Sequence, residues 1–182
     1  MFLILACGAF SGMMIISQAS SIAMNLVGMN ALSASVAVSI LALFNTLGRL
    51  LAGIVSDKIG RARTLLIAAV LSIIGLLSLF FSHYENFFSF YFGISISGIC
   101  FGSFMGVFPG FTTDHFGSKN NSVNYGIMFI GFASAGFFGP VIMNVTYTAC
   151  GTYQVAFLIA MLLNIIVSVL IYVYRAIMAR QY

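Results

Sequence analysis

Arg49 is the residue hardest to place without invoking chemistry. It stands in an apolar run, with Asn45 one helical turn before it and Asp57 eight residues after it. Eight helical residues put it about 12 Å in from that acid, and an arginine at depth in a bilayer costs about 2.5–3.5 kcal/mol on insertion scales. Two explanations are open. The long side chain could snorkel back to the interface. Alternatively, an unpaired guanidinium facing a cavity could hold a carboxylate through two parallel hydrogen bonds. No acid shares its helical face, and Asn45 offers a neutral partner in place of a counter-charge. The second explanation makes Arg49 an anion site.

A second cluster follows at once. The chain has seven Lys and Arg and three Asp and Glu, and Arg49, Asp57, Lys58, Arg61 and Arg63 all fall within 45–63. The apolar pattern predicts a helix that breaks over Ser56–Gly60 and a new one from Thr64. Gly53 and Gly60 bracket the acid and the first base. Ser11, Gln18, Ser21 and Asn25 recur at helical spacing and form one polar stripe on the first apolar segment. Interhelical hydrogen bonding would account for that stripe; so would the wall of an aqueous cavity, which would add Gln18, Ser21 and Asn25 to the lining of the anion site.

Enzyme chemistry finds no footing. The chain has no HExxH, GxSxG, P-loop or acid cluster, and no pattern that calls for a cofactor. His83 and His115 fall in loops on opposite sides of the membrane and read as solvated. Cys7, Cys100 and Cys150 are far apart without a CxxC, so they read as small packing residues and give no metal site.

The elements that must carry these residues are set by composition. Of 182 residues 62% are hydrophobic and 5% charged, where a soluble domain would have roughly a quarter charged. The fold class is therefore all-α and polytopic, in a lipid bilayer, because apolar runs this long must satisfy their backbone as helices. Six spans are expected at about 2–28, 31–54, 64–82, 87–111, 123–147 and 154–174. The first has no basic lead-in and reads as a span, not a cleaved signal. The net charge of +4 would suggest nucleic acid in a soluble protein; here the loop cations are topology signals. Lys58, Arg61, Arg63, Lys119, Arg175 and Arg180 all fall on one side, which the positive-inside rule makes cytoplasmic, together with both termini.

Glycine marks close approach. Gly98, Gly102, Gly106 and Gly110 recur every fourth residue in the fourth span, a packing groove or a bending element, and Pro109 is expected to close that helix. In the fifth span Asn144 could bond a carbonyl freed by Pro140. The sixth, with Asn164 as its lone polar group, reads as a lipid-facing support.

The stretch Gly53–Arg63 resembles the signature loop of the major facilitator superfamily: glycine, three residues, an acid, a base, any residue, glycine, then basic residues. Gly53, Asp57, Lys58, Gly60, Arg61 and Arg63 match, and Ala62 departs where a base is frequent. The resemblance implies a six-helix half of a twelve-helix transporter, with Asp57 as a gate residue whose partner lies in the other half. Pro109, Thr113, Phe116–Gly117 and Asn124–Tyr125–Gly126, with GMMIIS at 12–17, are similar to the oxalate/formate antiporter family and its monocarboxylate-transporting relatives. That likeness puts Arg49 where those relatives have a carboxylate-binding arginine in the eighth helix. Asn45 stands where monocarboxylate transporters often have an acid. The lysine that oxalate exchangers carry in the eleventh helix has no counterpart near Phe132, Ser134 and Ala135.

Together these imply a C-terminal half, in a bacterial inner membrane, that moves a small organic anion of the pyruvate, lactate or formate type, with an N-terminal six-helix half as its partner. Met1 would then fall inside the seventh helix, as in a fragment, a truncated frame or a separately encoded half. The competing reading is a non-transporting remnant or assembly subunit whose helices merely pack.

Overall fold

The computed structural model of the chain describes residues 1–179. Six helices follow in order: α1 Phe2–Val27, α2 Ala31–Ile59, α3 Arg61–Phe80, α4 Phe87–Phe116, α5 Asn121–Cys150 and α6 Gln154–Met178. All six are long and apolar enough to cross a membrane. Local signals set their ends. Asn30 Oδ1 accepts from Ser33 N at 2.8 Å and Asn86 Oδ1 from Ser89 N at 3.2 Å, which caps α2 and α4. Gly28 (φ 78°) and Gly151 (φ 68°) close α1 and α5 in the left-handed conformation.

Two boundaries and one side-chain role differ from the sequence expectation. No break spans Ser56–Gly60: α2 runs through the charged residues to Ile59, and Gly60, at φ 90°, is the single residue between α2 and α3. Charges do not unwind a helix whose exposed face can carry them, and the Gly60 amide still donates to Ser56 O at 3.0 Å. Pro109 does not close α4, which continues to Phe116. Proline removes one donor near the helix end, and Thr113 Oγ1 donates back to the Pro109 carbonyl at 3.0 Å. In α5, Asn144 is exposed and its side chain makes no hydrogen bond among the described residues, so it does not repair the ladder at Pro140.

Helix α4 is the most buried of the spans and packs on α1, α2 and α3; α1 also packs on α5 and α6, and α3 on α6. Lipid gives no hydrophobic drive between helices, so small residues and close backbones hold the bundle. Along α2 and α4 this is literal. A Cβ on Gly98 would lie 2.8 Å from Leu41 O, one on Gly106 would lie 2.7 Å from Arg49 O, and one on Gly102 would collide with Asn45 O. Gly48 faces the Ile99 backbone in return. Between α3 and α4, a Cβ on Gly93 would stand 2.9 Å from Gly75 O, and Ser78 and Ser89 each donate to the other's carbonyl at 2.8 and 2.7 Å.

Helix α6 is two-faced instead of purely lipid-facing. Ala156, Phe157, Ala160, Asn164, Val167 and Ile171 are buried, while Leu158, Leu162, Ile165 and Val169 are exposed. Asn164 belongs to the buried face, and that is what a reading by composition misses.

Candidate functional site

The α4 glycines settle where Arg49 stands. Its backbone and that of Asn45 lie in the Gly102–Gly106 groove, so the stretch that carries both side chains is pinned by contacts no larger residue would permit. The Arg49 side chain is exposed, and its Nε donates to Asn45 Oδ1 at 3.3 Å. No carboxylate lies within ion-pair distance of it among the described residues. The helix spacing that suggested this pair is therefore realised as a hydrogen bond. Asn45 holds one edge of the guanidinium, and the Nη atoms make no hydrogen bond among the described residues.

Sequence reasoning gave Tyr125 on α5 no part in the packing. From there an aromatic row runs inward: Tyr125 to Phe129 (5.5 Å between ring centroids), Phe129 to Phe132 (4.6 Å) and Phe132 to Phe101 of α4 (6.3 Å). The Asn124–Tyr125–Gly126 triplet was the only sequence signal for this.

The polar stripe of α1 does not stay together. Ser11 is buried and donates to Gly8 O at 3.0 Å. Gln18 and Ser21 are half-buried, with no side-chain hydrogen bond among the described residues. Asn25 is exposed and donates through Nδ2 to Tyr153 Oη at 3.2 Å. Burial pushes the Tyr153 phenol above its ordinary pKa, with the Asn25 bond opposing, so it stays protonated at neutral pH. None of the four hydrogen-bonds Arg49 or Asn45.

At the other end of the charged stretch Arg61 is the hub. Its Nε donates to Asp114 Oδ2 at 3.0 Å, its Nη1 donates to Ser56 Oγ at 3.1 Å, and its Nη2 lies 3.3 Å from Asp57 Oδ1. Gly110 makes room for this, since a Cβ there would lie 2.7 Å from Nη1. This glycine therefore serves the arginine rather than the α2–α4 groove. Asp57 has a partner in its own chain, yet its side chain is 69% exposed. Lys58 and Arg63 are exposed and have no acid within 4 Å among the described residues. Gly53 and Gly60 have open space around them. Beside the hub lies a cavity of ≈ 530 Å³ lined by Arg61, Arg63, Asp114, His115, Tyr174 and Arg175. His115, expected in a loop, ends α4 and meets Tyr174 Oη through Nδ1 at 3.2 Å. Arg180 lies outside the described residues.

Residues 1–181 match the Major Facilitator Superfamily. The chain belongs to that superfamily. It is an integral membrane protein of six helices, built as a major-facilitator half bundle. Over 122 residues it is 37% identical to the Uncharacterized MFS-type transporter YhjX of Escherichia coli (strain K12), a match over 67% of this chain and 30% of that protein. Its backbone is similar to the crystal structure of an auto-inhibited POT family peptide transporter (TM-score 0.84, 17% identity, 96% of this chain and 36% of that one). The in meso structure of the POT family transporter PepTSo is similar too (TM-score 0.83, 18% identity, with the same coverage). At such identities the likeness is one of fold. The chain spans about a third of the length of these relatives.

Proposed function

We propose that this major-facilitator bundle is the C-terminal half of a twelve-helix carrier that moves a small organic anion across a bacterial inner membrane. The cargo is a monocarboxylate of the pyruvate, lactate or formate type, carried by alternating access in exchange for another anion. Arg49 holds the carboxylate and Asn45 orients it. Gln18, Ser21 and Asn25 line the path on α1. The Arg61 hub, with Asp57, Lys58 and Arg63, latches the cytoplasmic side, where both termini lie. The six helices act with an N-terminal half, and the two rock about a midplane site.

The observation that carries this reading is Arg49 itself. A permanently charged group in a membrane helix, bonded to a neutral amide and facing no acid in the described chain, is electrostatically complementary to an anion. The resemblance of Pro109, Thr113 and Asn124–Tyr125–Gly126 to carboxylate exchangers supports the cargo class. A single intramembrane cation favours one carboxylate over a dicarboxylate such as oxalate.

The test is counterflow in proteoliposomes of a complete carrier that contains this half, with labelled formate, lactate, pyruvate and oxalate. Arg49→Gln should abolish exchange of the accepted monocarboxylate while the protein still inserts and folds. Exchange at the unaltered rate would sink the site assignment.

A further inference from the structure

Where α1, α3, α4 and α6 meet, Ser11, Ser72, Ser97 and Asn164 converge on a cavity of ≈ 10 Å³ whose other walls include Ile15, Leu76, Phe101, Phe104 and the Cys100 thiol. Each helix supplies one polar group, and all four are at most 7% exposed. The cavity is remote from the Arg61 hub, and nothing in the transport reading uses it.

Two fully buried polar atoms have no protein partner, Asn164 Oδ1 and Ser97 Oγ, and the slightly more exposed Ser72 hydroxyl makes no hydrogen bond among the described residues either. The amide orientation is fixed, because Asn164 Nδ2 donates to Ala160 O at 3.0 Å. Flipping the amide would set oxygen against oxygen, so Oδ1 is the atom left as a lone acceptor. Ser11 spends its proton on Gly8 O at 3.0 Å, which leaves its lone pairs free to accept. The cavity therefore presents acceptors at Asn164 and Ser11 and an uncommitted hydroxyl at Ser97. A buried polar atom without a partner is costly, and natural cores rarely leave one so.

We propose that this cavity is a binding site for one structural water. The water donates to Asn164 Oδ1 and to Ser11 Oγ and accepts from the Ser97 hydroxyl. The volume suits the ligand, because a single water needs about 10–15 Å³ of such space and two to four polar partners. A sodium ion suits it less well. No carboxylate lines the cavity to offset a charge, and a hard cation would need more oxygens than the four side chains and their crowded aromatic neighbours offer. The water gives α6 a directional tie to the bundle. The ends of α6 are held by Asn25–Tyr153 and Tyr174–His115, and the water adds a tie at its middle.

Two measurements on the full chain in lipid nanodiscs test the site. In a high-resolution structure, a density peak should stand about 2.6–3.2 Å from both Asn164 Oδ1 and Ser97 Oγ. In thermal melts followed by circular dichroism, Asn164→Ala and Ser97→Ala should lower the melting temperature non-additively. The two side chains share no hydrogen bond, so a shared water couples them, and the density peak separates that from coupling through a shared dry cavity. Asn164→Leu, which fills the cavity, should recover most of the loss seen with Asn164→Ala. A dry cavity, additive shifts, or a peak that disappears when sodium is replaced by choline would each overturn the water assignment.

Discussion

Arg61 Nε stands 3.0 Å from Asp114 Oδ2, in a bond between residues 53 positions apart that joins the start of α3 to the end of α4. The same guanidinium returns to Ser56 and Asp57 on α2. Three helix ends thus share one cation, in a space that Gly110 leaves open.

Exposed ion pairs contribute about 0.2–1 kcal/mol, and both acids are more than half exposed. Asp114→Asn should accordingly cost less than about 1 kcal/mol. Arg61→Gln removes bonds to three partners at once and should cost about 1–2 kcal/mol. Melts of both single variants and the double variant should give a coupling that shrinks as salt rises.

The α2–α4 groove should be intolerant at one glycine where a neighbouring helix is tolerant. Gly102→Ala sets a methyl against the Asn45 carbonyl and should cost about 1–3 kcal/mol as an overpacked contact. Gly126→Ala meets open space and should stabilise by about 0.5–1 kcal/mol through helix propensity. Comparison of the two melting temperatures separates close packing from the general effect of losing glycine.

At the proposed anion site, charge and geometry should separate. Arg49→Lys keeps the charge and loses the fork, so exchange should persist at weaker apparent affinity. Asn45→Asp sets a carboxylate beside Arg49, about 3 Å away by the present hydrogen bond, and competes with the substrate. It should weaken anion binding tenfold or more, which corresponds to about 1.4 kcal/mol. Concentration series of counterflow rates would read both effects, and an unchanged Asn45→Asp carrier would argue against substrate contact at Arg49.

Cys150, exposed at the end of α5, tests orientation. If both termini are cytoplasmic, as proposed, a membrane-impermeant maleimide should label Cys150 on intact cells. A cysteine placed at Lys119 should react only after the membrane is opened. The reverse pattern would invert the topology.

Composition and local pattern were enough for the six spans, because helix formation in lipid depends on apolar length and needs no knowledge of neighbours. The residue pattern of Gly53–Arg63 was enough for the superfamily. Arg49 stood out because a lone charge in an apolar run is a one-dimensional signal, and Asn45 followed from helical spacing. Distances across the bundle were a different matter. Ser11 shares a helical stripe with Gln18 and Asn25, yet it points into the cavity with Ser97 and Asn164, because helices cross at angles and a stripe changes surroundings along its length. Gly110 continues the spacing of Gly98, Gly102 and Gly106, but there its neighbour is the Arg61 side chain from α3 and not the α2 backbone. Tyr125, Asp114 and Asn164 each owe their importance to a residue on another helix. Which faces meet is decided by packing between segments remote in sequence, and only the tertiary structure holds that information.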